Sequence, residues 1–191
     1  YGVQALRAKE NFPITGTKLH PVFIKNLAKI KRAAAITNRK AGRLKPEIAN
    51  AIEASANEVI CGMFDKDFIV DGIQGGAGTS ANMNMNEVIA NRAIEMLCGK
   101  KGDYTIVHPN DHVNMAQSTN DVIPTAGKLT VLDLLKPLDK SLSLLTDALY
   151  DKAAAFDHIV KIGRTQLEDA VPMRLGQTFH SYATMISRNR D

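Results

Sequence analysis

Val131–Leu149 reads VLDLLKPLDKSLSLLTDAL, and its apolar spacing decides the fold. Val131, Leu135, Leu138, Leu142, Leu145 and Leu149 recur at intervals of 4, 3, 4, 3 and 4 residues. That pattern is the seam of a long helix that packs against partner helices along its whole length. Leu132, Leu134 and Leu144 widen the apolar surface beyond one stripe, as in a helix buried inside a bundle. Pro137 lacks the N–H that a helix interior uses, so a kink or one locally freed carbonyl is expected there.

Outward from this helix the chain also reads as mainly α. Pro21 opens a helix to about Lys40, with Ile24, Leu27, Ile30 and Lys31 on one face. Pro46 opens another to about Ile60, with Ile48, Ile52 and Val59 inward and Gly62 as its stop. Phe68-Ile69-Val70 reads as a short strand or a helix remnant. Asn84 or Asn86 caps a helix through Val88, Ile89, Ala93, Ile94 and Leu97, stopped at Gly99. Residues 1–20 and 99–117 read as irregular, and a polar loop surrounds Gly163. Leu175, Phe179, Ala183 and Ile186 then begin an amphipathic helix at about Arg174. No turn precedes Asp191, and the first residue is Tyr1 rather than Met, so the expectation is a piece of a longer chain.

The 191 residues are 45% hydrophobic and 23% charged, enough for a sizeable core in one or two domains. The net charge of +4 is spread through mixed signs, so no nucleic-acid footprint is expected. The 5% aromatics and the lack of Trp argue against a base-stacking platform as well. Cys61 and Cys98 sit in apolar helical contexts and read as buried thiols of a reducing, cytoplasmic compartment. No apolar run approaches the ~18 residues of a membrane span, so no membrane partner is expected.

Three polar clusters carry the chemistry. Ser118-Thr119-Asn120-Asp121 follows His112-Val113-Asn114-Met115-Ala116-Gln117 and precedes the long helix. These residues serve as helix caps, or as hydroxyl and amide donors where the helix dipole favours an anion. Gly75-Gly76-Ala77-Gly78-Thr79-Ser80 places Thr79 and Ser80 just past a bare backbone turn. It also fits a loose dinucleotide pattern, but no acidic residue follows at the required distance. No Lys follows the glycines, which excludes a Walker loop. Gly163-Arg164-Thr165-Gln166 reads as a polar turn or as a third part of the site. His108, Asn110 and Asp111 form a further patch, too poor in ligands for a metal.

At these segments the chain resembles the aspartase/fumarase superfamily. The resemblance lies in DGIQGGAGTSANMNMNEVIANR (Asp71 to Arg92), HVNMAQSTNDVIPT (His112 to Thr125) and IGRTQLEDAVPMRLGQ (Ile162 to Gln177). YGVQALRAKENFPITG (Tyr1 to Gly16) is similar to the family's N-terminal segment. Ile73 to Ser80, Ser118-Thr119 and Thr165-Gln166 are similar to the aspartase branch. His108-Pro109-Asn110-Asp111 looks instead like the secondary dicarboxylate site of the fumarase branch.

The resemblance implies an N-terminal helical domain over residues 1–120, then the start of a long-helix central bundle over 121–191. It implies a homotetramer whose active sites draw on three subunits, a small dicarboxylate substrate and no cofactor. The implied reaction is reversible removal of ammonia from L-aspartate to give fumarate, or hydration chemistry in the fumarase branch. Thr79, Ser118 and Thr119 would hold the β-carboxylate, with Ser80 a weaker contact. Thr165 would hold the α-carboxylate, and Asn120 with Gln166 would meet the amino group. Ser118 and Thr119 are the catalytic candidates. The family's mobile loop, with its Gly-Ser-Ser…Met-Pro…Lys…Asn-Pro signature, carries a serine base and a lysine, and no such sequence occurs in residues 1–191. These residues alone are therefore expected to have no turnover. Two other classes of function compete: a structural protein on a lyase scaffold, and a free-standing helical binding module.

Overall fold

The computed structural model describes residues 2–190. They form two compact units, Tyr1–Val131 and Leu132–Asp191. The fold is mainly α, as the leucine spacing requires.

In the first unit, α2 (Pro21–Lys40) and α3 (Pro46–Ile60) each begin on a proline, whose missing N–H costs nothing in a first turn. They pack on α4 (Thr79–Met96) through Ile24, Leu27, Ile52, Val59, Met85 and Ile89. Ala28, Ala35, Ala56, Ala90 and Ala93 let the helices approach closely. Most of α4 is buried, including Asn82, Asn84, Asn86 and Asn91, so its polar side chains need partners within the fold. Asn84 answers this by accepting from Ile69 N–H at 3.0 Å and donating to Asp67 C=O at 3.0 Å. Phe68-Ile69-Val70 is thereby pinned as an irregular stretch, neither strand nor helix remnant. A single bridge pairs Lys18 with Asp71 just beyond it.

Several expectations are corrected. Residues 1–20 contain a helix, α1 (Val3–Asn11), held by a partner distant in sequence. The Glu87 carboxylate accepts from the N–H groups of Gln4 (2.9 Å) and Ala5 (2.8 Å), two donors that a helix start leaves unpaired. Helix α4 begins at Thr79, five residues before Asn84, because Gln74 Oε1 takes the Ala81 N–H at 2.6 Å. The 99–117 segment carries a short π-helical turn at Pro109–Val113. Cys61 and Cys98 are exposed, because both stand where a helix has just ended.

α5 (Thr119–Ala155) runs through Pro137 without interruption, so the expected kink does not break it. The second unit holds the greater part of α5, the strands β1 (Val160–Thr165) and β2 (Glu168–Arg174), and α6 (Leu175–Arg190). The loop expected at Gly163 is an antiparallel hairpin with a register shift between Ile162 and Arg164. Its turn residues, Gln166 (φ 50°) and Leu167 (φ 66°), are both left-handed, the backbone that closes two-residue hairpins. α6 meets α5 through the Tyr150–His180 ring pair, and Phe179 packs on Phe156 just past the end of α5, with ring centroids 5.4 Å apart in both pairs. Gly176 is required there, since a Cβ would lie 2.4 Å from Ala153 C=O. Leu132, Leu134, Leu135, Leu138, Leu144 and Leu145 remain exposed. Among the described residues, no helix is long and apolar enough to cross a membrane.

Candidate active site

The glycine-rich turn and the Ser118–Asn120 segment meet in the first unit. Gly76 (φ 73°) and Gly78 (φ 86°) take left-handed conformations open mainly to glycine, and Gly78 leads directly into α4. A Cβ on Gly78 would lie 2.9 Å from Ile123 Cγ2, so this residue also allows α4 to start against the first turns of α5. Thr79 is the first residue of α4 and Thr119 the first of α5. Two helix N-termini, each opening on a threonine, therefore lie side by side. Each carries partial positive charge and backbone donors suited to a carboxylate.

A partly buried hydrogen-bond chain ties the two together. Asn82 Nδ2 donates to Thr119 Oγ1 at 3.1 Å and to Asn114 Oδ1 at 3.2 Å. Lys31 Nζ donates to the same Asn114 Oδ1 at 2.7 Å. Asn114 Nδ2 donates to Gln117 C=O at 3.2 Å, which ties the chain to the segment before Ser118. Lys31 has no exposed surface, and burial lowers its pKa from 10.5 to about 7. Lys31, Asn82 and Asn114 were not among the sequence's candidates. The available signal was a lysine on an apolar helical face.

The remaining candidates fall as follows. Thr79, Ser118 and Asn120 are exposed, while Ser80 and Thr119 are half-buried. Ser118 Oγ bonds to the Asn120 carboxamide oxygen, which turns the amide nitrogen away from the hydroxyl. Asp71 organises the approach to the turn. Its carboxylate accepts from Thr15 N–H, Thr15 Oγ1, Gly16 N–H and Ile73 N–H, and the Thr15 hydroxyl leads in holding it well below the usual carboxylate range. A cleft of about 620 Å³ beside the turn is lined by Lys18, His20, Phe23, Gly76, Gly78 and Ile123 among others, with the hydroxyl set outside it. Thr165 and Gln166 belong to the second unit, at the exposed end of its hairpin.

His108, Asn110 and Asp111 fold onto one another. His108 Nδ1 accepts from Asn110 N–H at 3.2 Å and Asp111 N–H at 3.1 Å, and Asp111 Oδ2 lies 3.3 Å from it. His112 Nδ1 accepts the His108 N–H at 2.9 Å, and burial pushes the His112 pKa down.

These elements are those of a known family. The sequence model of a family described as Lyase matches residues 1–191. The chain belongs to this lyase family. It is 52% identical to an aspartate ammonia-lyase of Bacillus subtilis over 189 residues, 99% of this chain and 40% of that protein. It is likewise 52% identical to a class II fumarate hydratase of Halobacterium salinarum over 192 residues, 100% of this chain and 41% of that protein. A crystal structure of a fumarate lyase:delta crystallin from Brucella melitensis superimposes with a TM-score of 0.91 at 46% identity, covering 100% of this chain and 45% of that one. The chain thus spans about 40% of the length of the curated relatives it matches.

Proposed function

We propose that the whole protein is an aspartate ammonia-lyase, interconverting L-aspartate with fumarate and ammonia. The observation that carries this reading is the Asn82–Thr119 hydrogen bond, which sets two threonine-led helix N-termini side by side. The reaction removes a proton from the carbon beside the β-carboxylate, and the C–H electron pair moves onto that group. The doubly negative intermediate then re-forms a carbon–carbon double bond and expels ammonia. Acceleration needs donors aimed at the growing charge, each worth about 3 kcal/mol in such a site. Thr79, Ser118 and Thr119 bind the β-carboxylate, aided by Ser80. Thr165 binds the α-carboxylate, and Asn120 with Gln166 meets the amino group. The chemistry uses no cofactor.

The same reading makes the protein a cytoplasmic homotetramer, whose subunits bring these residues together with the base and cation of the family's mobile loop. The name of the Bacillus subtilis relative and the Gly75–Ser80 sequence support ammonia as the leaving group. A second reading, hydration of fumarate, is favoured by His108-Pro109-Asn110-Asp111 and by the Halobacterium relative's name. Replacing Thr119 with Ala in the whole protein tests the site under either reading. The expected result is a loss of kcat on the order of 100-fold with the fold kept. An unaltered rate removes Thr119 from the site.

A further inference from the structure

We infer that Lys31 is a positioning residue that, together with the Gln117 carbonyl, fixes the direction of the Lys31–Asn114–Asn82–Thr119 chain, so that the Thr119 hydroxyl offers its proton to the substrate. The inference rests on the proposed role of Thr119.

The direction follows from donor counts. A backbone carbonyl only accepts, so the group facing Gln117 C=O at 3.2 Å must be the Asn114 NH2, which leaves the Asn114 oxygen to accept from Lys31 Nζ at 2.7 Å. With that oxygen fixed, the Asn82 group facing it at 3.2 Å must be the NH2. The same nitrogen lies 3.1 Å from Thr119 Oγ1, so its second proton goes to the threonine. Thr119 is then an acceptor toward the protein. A hydroxyl has one proton, and here it is left for the ligand.

The opposite face of Asn82 shows what this orientation costs. Asn82 is buried and its Oδ1 has no hydrogen-bond partner among the described residues. Turning the amide over would satisfy that oxygen with the Thr119 proton, but would set it against the Asn114 oxygen. A buried unpaired acceptor is costly, so the orientation is imposed by the chain and not chosen locally. Two groups impose it through Asn114: the Gln117 C=O takes the Asn114 NH2 at 3.2 Å, and the buried Lys31 Nζ holds the Asn114 oxygen at 2.7 Å.

A double-mutant cycle in the whole protein tests this. Lys31→Met is measured alone and in a Thr119→Val background, with kcat and KM followed separately. The expected result is a roughly tenfold or larger fall in kcat for Lys31→Met alone, and little further loss once the Thr119 hydroxyl is gone. Equal losses in both backgrounds would overturn the inference while leaving the site reading intact. A Thr119→Val protein with unaltered kcat would overturn the reading of Thr119 and this inference with it. If Lys31→Met does not accumulate as folded protein, Asn82→Leu removes the donor to Thr119 and completes the same cycle.

Discussion

Lys31 stands where desolvation opposes its charge, and that gives it a measurable signature. Its folded pKa is about 7 against 10.5 for the free side chain. Between those values the unfolded chain binds the proton more tightly than the folded one. The penalty on the fold is therefore complete below about pH 7 and fades as pH rises toward 10.5. Lys31→Met is expected to hold or raise Tm at pH 6, with the gain shrinking toward pH 10. A fall in Tm at pH 6 would mean that the amine's bond to Asn114 outweighs its desolvation. Thr79 and Thr119 stand out as candidates in the sequence because hydroxyls cluster where apolar residues are sparse, and the structure sets them at the starts of α4 and α5. Lys31, Asn82 and Asn114 were not. A lysine on an apolar helical face ordinarily reads as a long stem reaching water, and only the packing of α2, α4 and the 109–117 segment shows that it does not.

Among the elements, α2 and α3 follow their sequence signals closely, since Pro21 and Pro46 announce both starts. The first helix carries no such local signal. α1 has no acidic residue in its first turn and borrows a carboxylate from Glu87, more than 80 positions away. Glu87→Gln leaves one acceptor oxygen where two N–H groups were met, and it weakens the favourable charge at the helix start. Hydrogen exchange at Gln4, Ala5 and Leu6 is expected to accelerate while exchange in α3 stays unchanged. Uniform acceleration across the first unit would show instead that Glu87 supports α4 itself. The hairpin at Val160–Arg174 was also missed, because its turn places Gln166 and Leu167 in left-handed backbone that residues such as Asn and Gly usually mark.

For the whole molecule the leucine surface is the dominant feature. The seam that decided the fold is only partly used within the chain: Leu142 and Leu149 are half-buried, while Leu132, Leu134, Leu138 and Leu144 face outward. A contiguous apolar face of this kind marks an association surface. In the whole protein, Leu144→Glu sets a charge into that face and is expected to lower the assembly state seen by sedimentation, with activity falling in parallel. An unchanged sedimentation profile would place the subunit interface elsewhere on α5. The sequence made the helix and its need for partners readable, whereas the partners lie beyond what a single chain's periodicity specifies.

The proposed chemistry turns on ammonia being the group removed and added back. The decisive measurement follows the ultraviolet absorbance of fumarate with the whole protein, once with ammonia present and once with water as the sole nucleophile. Consumption that requires ammonia and yields aspartate is the expected result. Consumption without ammonia, yielding malate, would contradict it and shift the weight from Gly75–Ser80 to His108–Asp111.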